Sequence, residues 1–225
     1  MVSVRSSARP ARRSSQRGVS LVELLVVLVI LLLIFAMGGV LIGPPLKKAR
    51  LAAAANDLTV LAQKVPIQAR TQRGGQGAFV FLKATPGTGL FELVADTGPA
   101  PAGDGRFTDP SAGTNPDSLI ANVQPYRLPQ GIVFYDMAAP YDPCWSNWGA
   151  SGTNFVLGVD FQGRAVGPDG RQIAGSASIN LTHADMASGA VTPLVVHRLT
   201  FGSVWGVRQT RLVQDAAVAS GWREY

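Results

Sequence analysis

Residues 24–46 form a run of 23 residues without a charged side chain, and most of them are Leu, Val or Ile. A helix needs about 20 such residues to cross a bilayer, so the run predicts one membrane-spanning helix. Arginines crowd its N-terminal side, and the positive-inside rule therefore predicts that this end stays in the cytoplasm while the rest is exported. Lys47, Lys48 and Arg50 follow the run and weaken this asymmetry without reversing it.

An ordinary secretory signal is the first alternative to a spanning helix. The apolar core of such a signal is about 7–15 residues long and ends at a cleavage site between small residues. Here the run is longer, and the candidate site at 36–38 lies inside it. The length therefore favours a spanning helix.

The formal net charge of +6 lies mostly in residues 1–18. That segment holds no acidic residue and five arginines: Arg5, Arg9, Arg12, Arg13 and Arg17. Without these five, 15 of the 20 basic residues remain against 14 acidic ones, a balance of +1. A near-neutral remainder exerts no general attraction on nucleic acid. Cys144 is the only cysteine, which excludes an intramolecular disulfide.

Glu23 lies at the head of the apolar run. A charge costs about 2.5–3.5 kcal/mol at the membrane centre on insertion scales, and less near an interface. One interpretation is an interfacial residue at a helix start, where an acid also suits the helix dipole. The residues before Glu23 favour a more specific interpretation. A basic segment, a glycine and four further residues precede Glu23, in the order Arg17-Gly18-Val19-Ser20-Leu21-Val22-Glu23.

This stretch resembles the processing site of type IV prepilins. The resemblance implies that a membrane peptidase cuts after Gly18, that Val19 is then N-methylated, and that Glu23 is the family's glutamate at the fifth mature position. It also implies that Glu23 of one subunit meets the N-terminal amine of its neighbour during filament assembly. The chain departs from the pattern in having Val19 where phenylalanine is usual.

A second helical pattern follows Pro44-Pro45, a pair that we expect to end or kink the first helix. Apolar residues recur there at steps of three and four: Leu51, Ala54, Ala55, Leu58, Leu61, Ala62 and Val65. This spacing predicts a helix that packs one face against a sheet. Pro66 is expected to end or bend it, with a Gly-rich turn closing it at 70–77.

Beyond Gly77 the sequence changes to short runs rich in Val, Ile, Phe and Leu, which are typical of strands. Seven runs have this character: 78–83, 90–95, 132–137, 154–161, 176–182, 194–204 and 205–213, the last with a bend or bulge at Gly206. The sequence therefore predicts an α+β protein with a long N-terminal helix packed on an antiparallel sheet. The resemblance to pilins implies the same arrangement.

Two irregular stretches interrupt these runs. Residues 96–128 are rich in Gly, Pro, Asp and Asn, and we favour a tolerated surface insertion over a functional loop. Residues 141–149 contain Trp145 and Trp148, for which we favour packing onto the sheet over a contact between subunits.

The later part of the chain adds a finer resemblance. A turn at Phe161-Gln162-Gly163-Arg164 is followed by an apolar run and a last hairpin. This order resembles the GspH/FimT group of minor pilins and pseudopilins, in which a glycine-arginine turn follows a phenylalanine ahead of two closing strands.

The sequence indicates no catalytic or metal site. His183 and His197 are the only histidines, and with Cys144 they match no zinc spacing. Nothing around Cys144 matches a catalytic signature, and residues 163–170 lack the lysine and the helix of a phosphate-binding loop. We therefore predict no enzyme, no cofactor and no metal.

DNA is an alternative partner, because some members of the resembled group bind DNA during uptake through a basic motif near the C-terminus. Arg208 and Arg211 are the candidate contacts, with Arg198 and Arg223 nearby in sequence. If 206–213 is a strand, their odd spacing places Arg208 and Arg211 on opposite faces. The glycine-arginine-x-arginine motif expected there is also absent, so solvent-exposed strand arginines are the simpler interpretation.

The predicted organisation is a cleaved basic leader at 1–18, a membrane and filament-core helix at 19–46, the soluble half of the helix with its turn at 47–77, and a β-rich domain at 78–225. We predict a structural minor pilin or pseudopilin of a type II secretion or type IV pilus filament. Its expected partners are the prepilin peptidase and methyltransferase, other pilins or pseudopilins, the inner-membrane assembly platform and the lipid bilayer. The globular domain is expected in the periplasm. The alternatives are a DNA-binding minor pilin for natural transformation and an unrelated single-pass membrane-anchored extracytoplasmic protein.

Overall fold

The computed structural model of the chain describes residues 20–71, 79–98, 103–137, 143–215, 217 and 221–225, without the side chains of 36–42. The chain separates into two compact units, Met1–Gly43 and Pro44–Tyr225. The predicted domain boundaries after residues 18, 46 and 77 stay predictions. Most of the predicted Gly-rich turn lies outside the described residues.

Helix α1 (Leu21–Thr71) includes Pro44, Pro45 and Pro66. Of the two outcomes expected at these prolines, an end of the helix is wrong, because helical structure continues past each of them. A proline has no backbone N–H, so it leaves the carbonyl four residues earlier without its usual helical partner.

Among the described residues the chain forms twelve strands and one further helix after α1. The strands are β1 (Val80–Thr85), β2 (Leu90–Ala95), β3 (Ser118–Leu119), β4 (Tyr126–Arg127), β5 (Ile132–Phe134), β6 (Gly149–Ser151), β7 (Asn154–Val159), β8 (Ala165–Val166), β9 (Ala177–His183), β10 (Val195–Phe201), β11 (Val207–Gln214) and β12 (Trp222–Glu224), and helix α2 is Ala184–Ala187. Each of the seven predicted runs overlaps one of the longer strands, or β5. The other five strands have two or three residues each and were not predicted.

The strands form two antiparallel sheets in the described part of the chain, where the sequence predicted one. The first sheet follows the order β3-β2-β1-β7-β6, with β4 also paired to β2 and β8 to β7. The second follows the order β12-β11-β10-β9-β5. The predicted α+β class is confirmed, with a helix packed against two sheets.

The C-terminal half of α1 packs into a core that both sheets share. All seven residues of the predicted apolar stripe are at most 4% exposed. They belong to one buried cluster that also contains Leu82 and Leu157 of the first sheet and Leu199 of the second. The predicted packing of this helix face is therefore confirmed, and the buried Ala69 extends the stripe by one step.

Two aromatic side chains attach the sheets to the backbone of α1. The indole Nε1 of Trp205 donates a hydrogen bond of 3.0 Å to the carbonyl oxygen of Ala62. Ala62 lies four residues before Pro66, so this is the carbonyl that the proline leaves without a helical donor. The Tyr126 hydroxyl donates to the Ala54 carbonyl at 3.3 Å. Trp205 therefore supplies a hydrogen bond that the helix itself lacks.

The irregular segment at 96–128 is tied to the first sheet. Strands β3 and β4 pair with β2 at its two ends. The Asp96 carboxylate accepts hydrogen bonds from the backbone N–H groups of Asp104 and Gly105, at 3.2 and 2.7 Å. The Asp117 carboxylate accepts three more, from Thr97, Gly98 and Thr108. The predicted surface insertion is thus fastened by backbone bonds to two carboxylates.

Trp145 and Trp148 pack inside the domain. The ring of Trp145 stacks on Phe155, with centroids 4.5 Å apart and an interplanar angle of 1°. Trp148 is buried and meets Trp145 and Phe201 edge-on, at centroid distances of 5.2 and 5.5 Å. The prediction that these tryptophans serve packing is confirmed.

Candidate functional site in the N-terminal helix

The start of α1 is a capped helix end. Ser20 Oγ accepts a hydrogen bond from the backbone N–H of Val22 at 3.3 Å, and the Ser20 carbonyl accepts from Leu24 at 3.1 Å. Glu23 lies in the first turn, where its negative charge suits the positive end of the helix dipole, and it is exposed. Gly18 and Val19, the predicted processing residues, lie outside the described residues.

The first turns of α1 are apolar apart from Glu23. From Leu21 to Phe35 every large hydrophobic side chain is at least 46% exposed. Exposed contiguous apolar surfaces of this kind mark contacts with other proteins or with membranes. Among the described residues, no helical segment is both long enough and apolar enough to cross a membrane. The predicted span at 24–46 includes residues 36–42, whose side chains are not described.

Residues 13–39 match the family described as the prokaryotic N-terminal methylation motif. The chain therefore carries a prepilin-type motif at its N-terminal side. The matched segment contains Gly18, Val19 and Glu23, and it extends into the exposed apolar part of α1. No curated protein and no solved structure matches the chain significantly. The pilin-like assignment therefore applies to the N-terminal segment, and residues 44–225 lie outside the match.

The turn at 161–164 joins β7 to β8 of the first sheet, and hydrogen bonds attach it to the loop between β10 and β11 of the second sheet. The Asp160 carboxylate, 1% exposed, accepts hydrogen bonds from the backbone of Gln162 and Arg164 and from Arg164 Nε at 2.6 Å. Gly163 has a φ of +82°, which favours glycine, and its carbonyl accepts from the Trp205 backbone at 2.8 Å. The residues of the finer resemblance thus form a junction rather than an open site.

The structure does not bring the candidate DNA-binding arginines together. Arg208 and Arg211 are both exposed on β11, where Arg208 lies opposite Thr200 and Arg211 opposite His197. Their odd spacing in a regular strand puts them on opposite faces, as the sequence predicted. The Arg211 guanidinium lies 5.6 Å from the Tyr225 ring centroid.

The two other arginines considered with them have polar contacts of their own. Arg198 Nη2 donates to Ser178 Oγ at 3.2 Å. Arg223 forms an ion pair of 2.8 Å with Asp215. The strand register places Arg198 with Arg208 on one face of the second sheet and Arg211 with Arg223 on the other. The four described arginines are therefore divided between two faces and do not form one basic surface.

The cysteine and the histidines each have a structural environment. Cys144 is buried; its thiol donates to the Asn180 carbonyl at 3.3 Å, and burial raises the pKa of the thiol to about 11. His183 Nδ1 accepts from the Asp185 N–H at the start of α2. His197 Nδ1 lies 2.8 Å from Gln209 Nε2, and burial lowers the His197 pKa to about 4, with Arg211 adding to the shift. No group of three metal-ligating side chains occurs among the described residues.

Proposed function

We propose that this chain is a structural minor pilin or pseudopilin of the GspH/FimT group, in a type II secretion or type IV pilus filament. The observation that carries the proposal is the continuity of the methylation motif at 13–39 with a helix whose apolar residues are exposed on all sides. The pilin-like fold is part of the same proposal. It is supported by a helix whose second half is the packed face of an α+β domain.

The proposed location follows from the charge and apolar patterns. The leader stays in the cytoplasm, residues 24–46 cross the inner membrane, and the domain at 78–225 lies in the periplasm. A prepilin peptidase and methyltransferase cuts after Gly18 and methylates Val19. The further partners are other pilins or pseudopilins, the inner-membrane assembly platform and the lipid bilayer. The chain is proposed to act without a cofactor and not as an enzyme.

Glu23 is proposed to guide subunits into the filament. After cleavage, Val19 carries a free amine, and the Glu23 carboxylate lies four residues further along an apolar helix. Pairing this carboxylate with the amine of a neighbouring subunit offsets part of the cost of burying each charge. A subunit that lacks the carboxylate leaves the neighbour's amine unpaired in an apolar surrounding, which is strongly unfavourable.

The mature N-terminus provides the direct test of this proposal. Mass spectrometry of the protein isolated from its native host is expected to show a chain that begins at methylated Val19. An intact Met1 would remove the proposal and leave an unrelated membrane-anchored protein as the better interpretation. The DNA-binding alternative predicts a salt-dependent shift of DNA by the purified protein that is lost in Arg208→Ala or Arg211→Ala.

Replacement of Glu23 tests the assembly role separately from processing. Glu23→Ala and Glu23→Gln are expected to be cleaved normally and to enter filaments at least about tenfold less than wild type, since an unpaired buried charge costs several kcal/mol. The measurement is the amount of processed protein in sheared or purified filaments. Glu224→Gln is a suitable control, because Glu224 is an exposed residue of β12 in the domain. Normal incorporation of both Glu23 variants contradicts the role.

A further inference from the structure

A lysine lies between two carboxylates on the face of the first sheet that is turned away from α1. Leu82 of β1 packs into the core shared with α1, so the next residue, Lys83, points to the opposite face. Lys83 Nζ lies 3.4 Å from Glu92 Oε2 and 3.1 Å from Asp109 Oδ2. Glu92 is directly opposite Lys83 on β2, and Asp109 comes from the irregular segment at 96–128. The side chains of the lysine and the two acids are only 12%, 14% and 21% exposed, so water has little access to them.

The surroundings of Lys83 are apolar on one side. Phe81 lies two residues earlier in β1, on the same face of the sheet, and Val156 lies directly opposite Lys83 on β7. Both belong to a buried cluster whose members are Phe81, Val94, Phe107, Val156 and Val166. Because an apolar surrounding solvates charges poorly, it favours the uncharged forms of an amine and of a carboxyl group.

Hydrogen bonds fix the orientation of the Asp109 carboxyl group. Ser111 donates to Asp109 Oδ1 from its backbone N–H at 2.9 Å and from its hydroxyl at 2.6 Å. Asn154 Nδ2 donates to Asp109 Oδ2 at 3.0 Å, and the Asn154 side chain accepts from Thr85 Oγ1 at 2.8 Å. Oδ1 therefore lies between two donors that stabilise negative charge, while Oδ2 faces the Lys83 amine.

We propose that Lys83 and Asp109 form an amide bond within the chain, with Glu92 as the proton carrier. A proton first moves from the Lys83 ammonium to Asp109 Oδ2. The lone pair of Lys83 Nζ then forms a bond to Asp109 Cγ, and negative charge develops on Oδ1, where the donors of Ser111 stabilise it. Glu92 takes a proton from Nζ and passes it to Oδ2, the bond between Cγ and Oδ2 breaks, and water leaves. The products are one amide and one water, and the Glu92 carboxylate is regenerated.

The reaction starts from an ion pair. Burial raises the pKa of Asp109, but the hydrogen bonds from Ser111 and the contact with Lys83 outweigh burial and lower this pKa overall. The first proton transfer is therefore unfavourable. The fixed geometry offsets this cost, because well-oriented groups within one molecule react as if present at about 10⁵–10⁸ M.

The amide bond joins the irregular segment at 96–128 to β1, the central strand of the order β3-β2-β1-β7-β6. Cys144 is the only cysteine, so a disulfide within the chain cannot provide such a link. The bond also constrains the unfolded chain, and it stabilises the folded domain as a disulfide does. The inference goes beyond the proposed function and does not depend on filament assembly, because every group in it belongs to one domain.

Mass spectrometry of the denatured full-length protein tests the bond. The protein is expected to be lighter, by the mass of one water molecule, than its sequence and N-terminal processing require. Trypsin is expected not to cut after Lys83, so that peptide 74–106 is recovered joined to peptide 107–127. The two peptides recovered separately, with cleavage after Lys83, would overturn the inference. A loss of water confined to a single peptide would also overturn it, since that result indicates an aspartate cyclised onto its own backbone.

Substitutions of the two bonded residues test the chemistry. Lys83→Arg keeps the positive charge but has no amine that loses its proton, so no cross-link is expected. Asp109→Asn keeps the carbon that is attacked and releases ammonia instead of water, so it is expected to reach the same final mass as the cross-linked wild type. Asp185→Ala is the control: it removes the more exposed ion pair with Lys47 and is expected to leave the cross-link unchanged. A cross-linked Lys83→Arg chain, or a folded Asp109→Asn chain without the cross-link, contradicts the reaction.

Replacement of Glu92 tests its role as the proton carrier. Glu92→Gln keeps the size of the side chain and is expected to slow formation of the bond at least about a hundredfold, the usual effect of losing a general acid–base group. Glu92→Asp keeps a carboxylate and is expected to form the bond faster than Glu92→Gln. The measurement is the cross-linked fraction at successive times after synthesis, and tryptophan fluorescence like that of the wild type shows that each variant is folded. Equal rates in the wild type and Glu92→Gln contradict the role of Glu92, and equal rates in the two variants contradict the need for a carboxylate.

Discussion

Two stretches of helix α1 have opposite surroundings. From Leu21 to Phe35 every large hydrophobic side chain is exposed, whereas the apolar residues at 51–69 that follow the three- and four-residue pattern are buried. Both stretches are helical. The difference lies in periodicity, because the first is apolar on nearly all sides, whereas the second gathers most of its apolar residues on one face.

This comparison shows what periodicity adds to hydrophobicity. A helix with one apolar stripe can bury that whole stripe against a sheet on one side. A helix that is apolar on all sides leaves most of its surface uncovered by any single layer, so it fits a membrane or a ring of neighbouring helices. The methylation motif at 13–39 includes the stretch that is apolar on nearly all sides, as the prepilin interpretation requires.

Truncating one leucine in each stretch gives the largest expected difference. Leu58→Ala removes a side chain that is 0% exposed and is expected to lower the free energy of unfolding by about 2–5 kcal/mol. Leu28→Ala, at a position 52% exposed, is expected to change it by less than about 0.5 kcal/mol. Urea denaturation of the full-length protein in detergent, followed by tryptophan fluorescence, measures both.

Leu46→Ala is a useful third variant, because this exposed leucine lies in the same unit as Leu58. It is expected to behave like Leu28→Ala. A loss of stability in Leu28→Ala as large as that in Leu58→Ala would break the comparison, since it would mean that the apolar stretch is packed against the domain.

Much of the fold was predictable because its signals are local. The stripe from Leu51 to Val65 predicted the buried helix face, and runs rich in Val, Ile, Phe and Leu predicted the longer strands. The division into two sheets was not predictable, because it depends on which strands pair. Strands as short as β3 and β4 carry no pattern of their own and are held by pairing with β2 and by the carboxylates of Asp96 and Asp117.

The residues of the candidate site were predicted from the sequence alone. Gly18, Val19 and Glu23 follow from a linear motif, which needs no folded structure to be recognised. Of the two outcomes expected at Pro66, only the end of the helix was wrong. The sequence shows a missing N–H and cannot show that Trp205, far along the chain, replaces it.

The second prediction concerns the Trp205–Ala62 hydrogen bond, which holds the buried stretch of α1 at 51–69. Trp205→Phe keeps an aromatic ring beside Phe201 but leaves the buried Ala62 carbonyl without its donor, so we expect a loss of about 1–3 kcal/mol in unfolding free energy. Pro66→Ala supplies a backbone N–H for the same carbonyl. In that background Trp205→Phe is expected to cost about 1 kcal/mol less, as a double-mutant cycle would measure.

Tyr126→Phe is the control for this cycle. It removes the hydroxyl that bonds the Ala54 carbonyl, which has a normal helical donor because residue 58 is a leucine. Its effect is expected to be smaller than that of Trp205→Phe and independent of Pro66. Equal costs of Trp205→Phe with and without Pro66 would show that the indole bond does not compensate for the proline.

The third and smallest expected effect concerns pH and is confined to residues 44–225, where all the described groups with shifted pKa values lie. Burial raises the Asp96 pKa to about 6, so the folded protein binds this proton more tightly and gains stability as the pH falls from 7 towards 4. Burial lowers the His197 pKa to about 4, so here the unfolded chain binds the proton more tightly and stability falls over the same range.

Because these two contributions oppose each other, the wild-type protein is expected to show little net change from them between pH 6.5 and 4.5. Asp96→Asn leaves the histidine contribution and is expected to lose stability on acidification, whereas His197→Gln leaves the carboxylate contribution and is expected to gain it. Each slope is limited to about 1.4 kcal/mol per pH unit for a difference of one proton. Denaturation midpoints compared across pH within each variant measure these slopes without requiring equal starting stability. Parallel pH profiles for the two variants would contradict both assignments, because the removal of opposite contributions must make the profiles diverge.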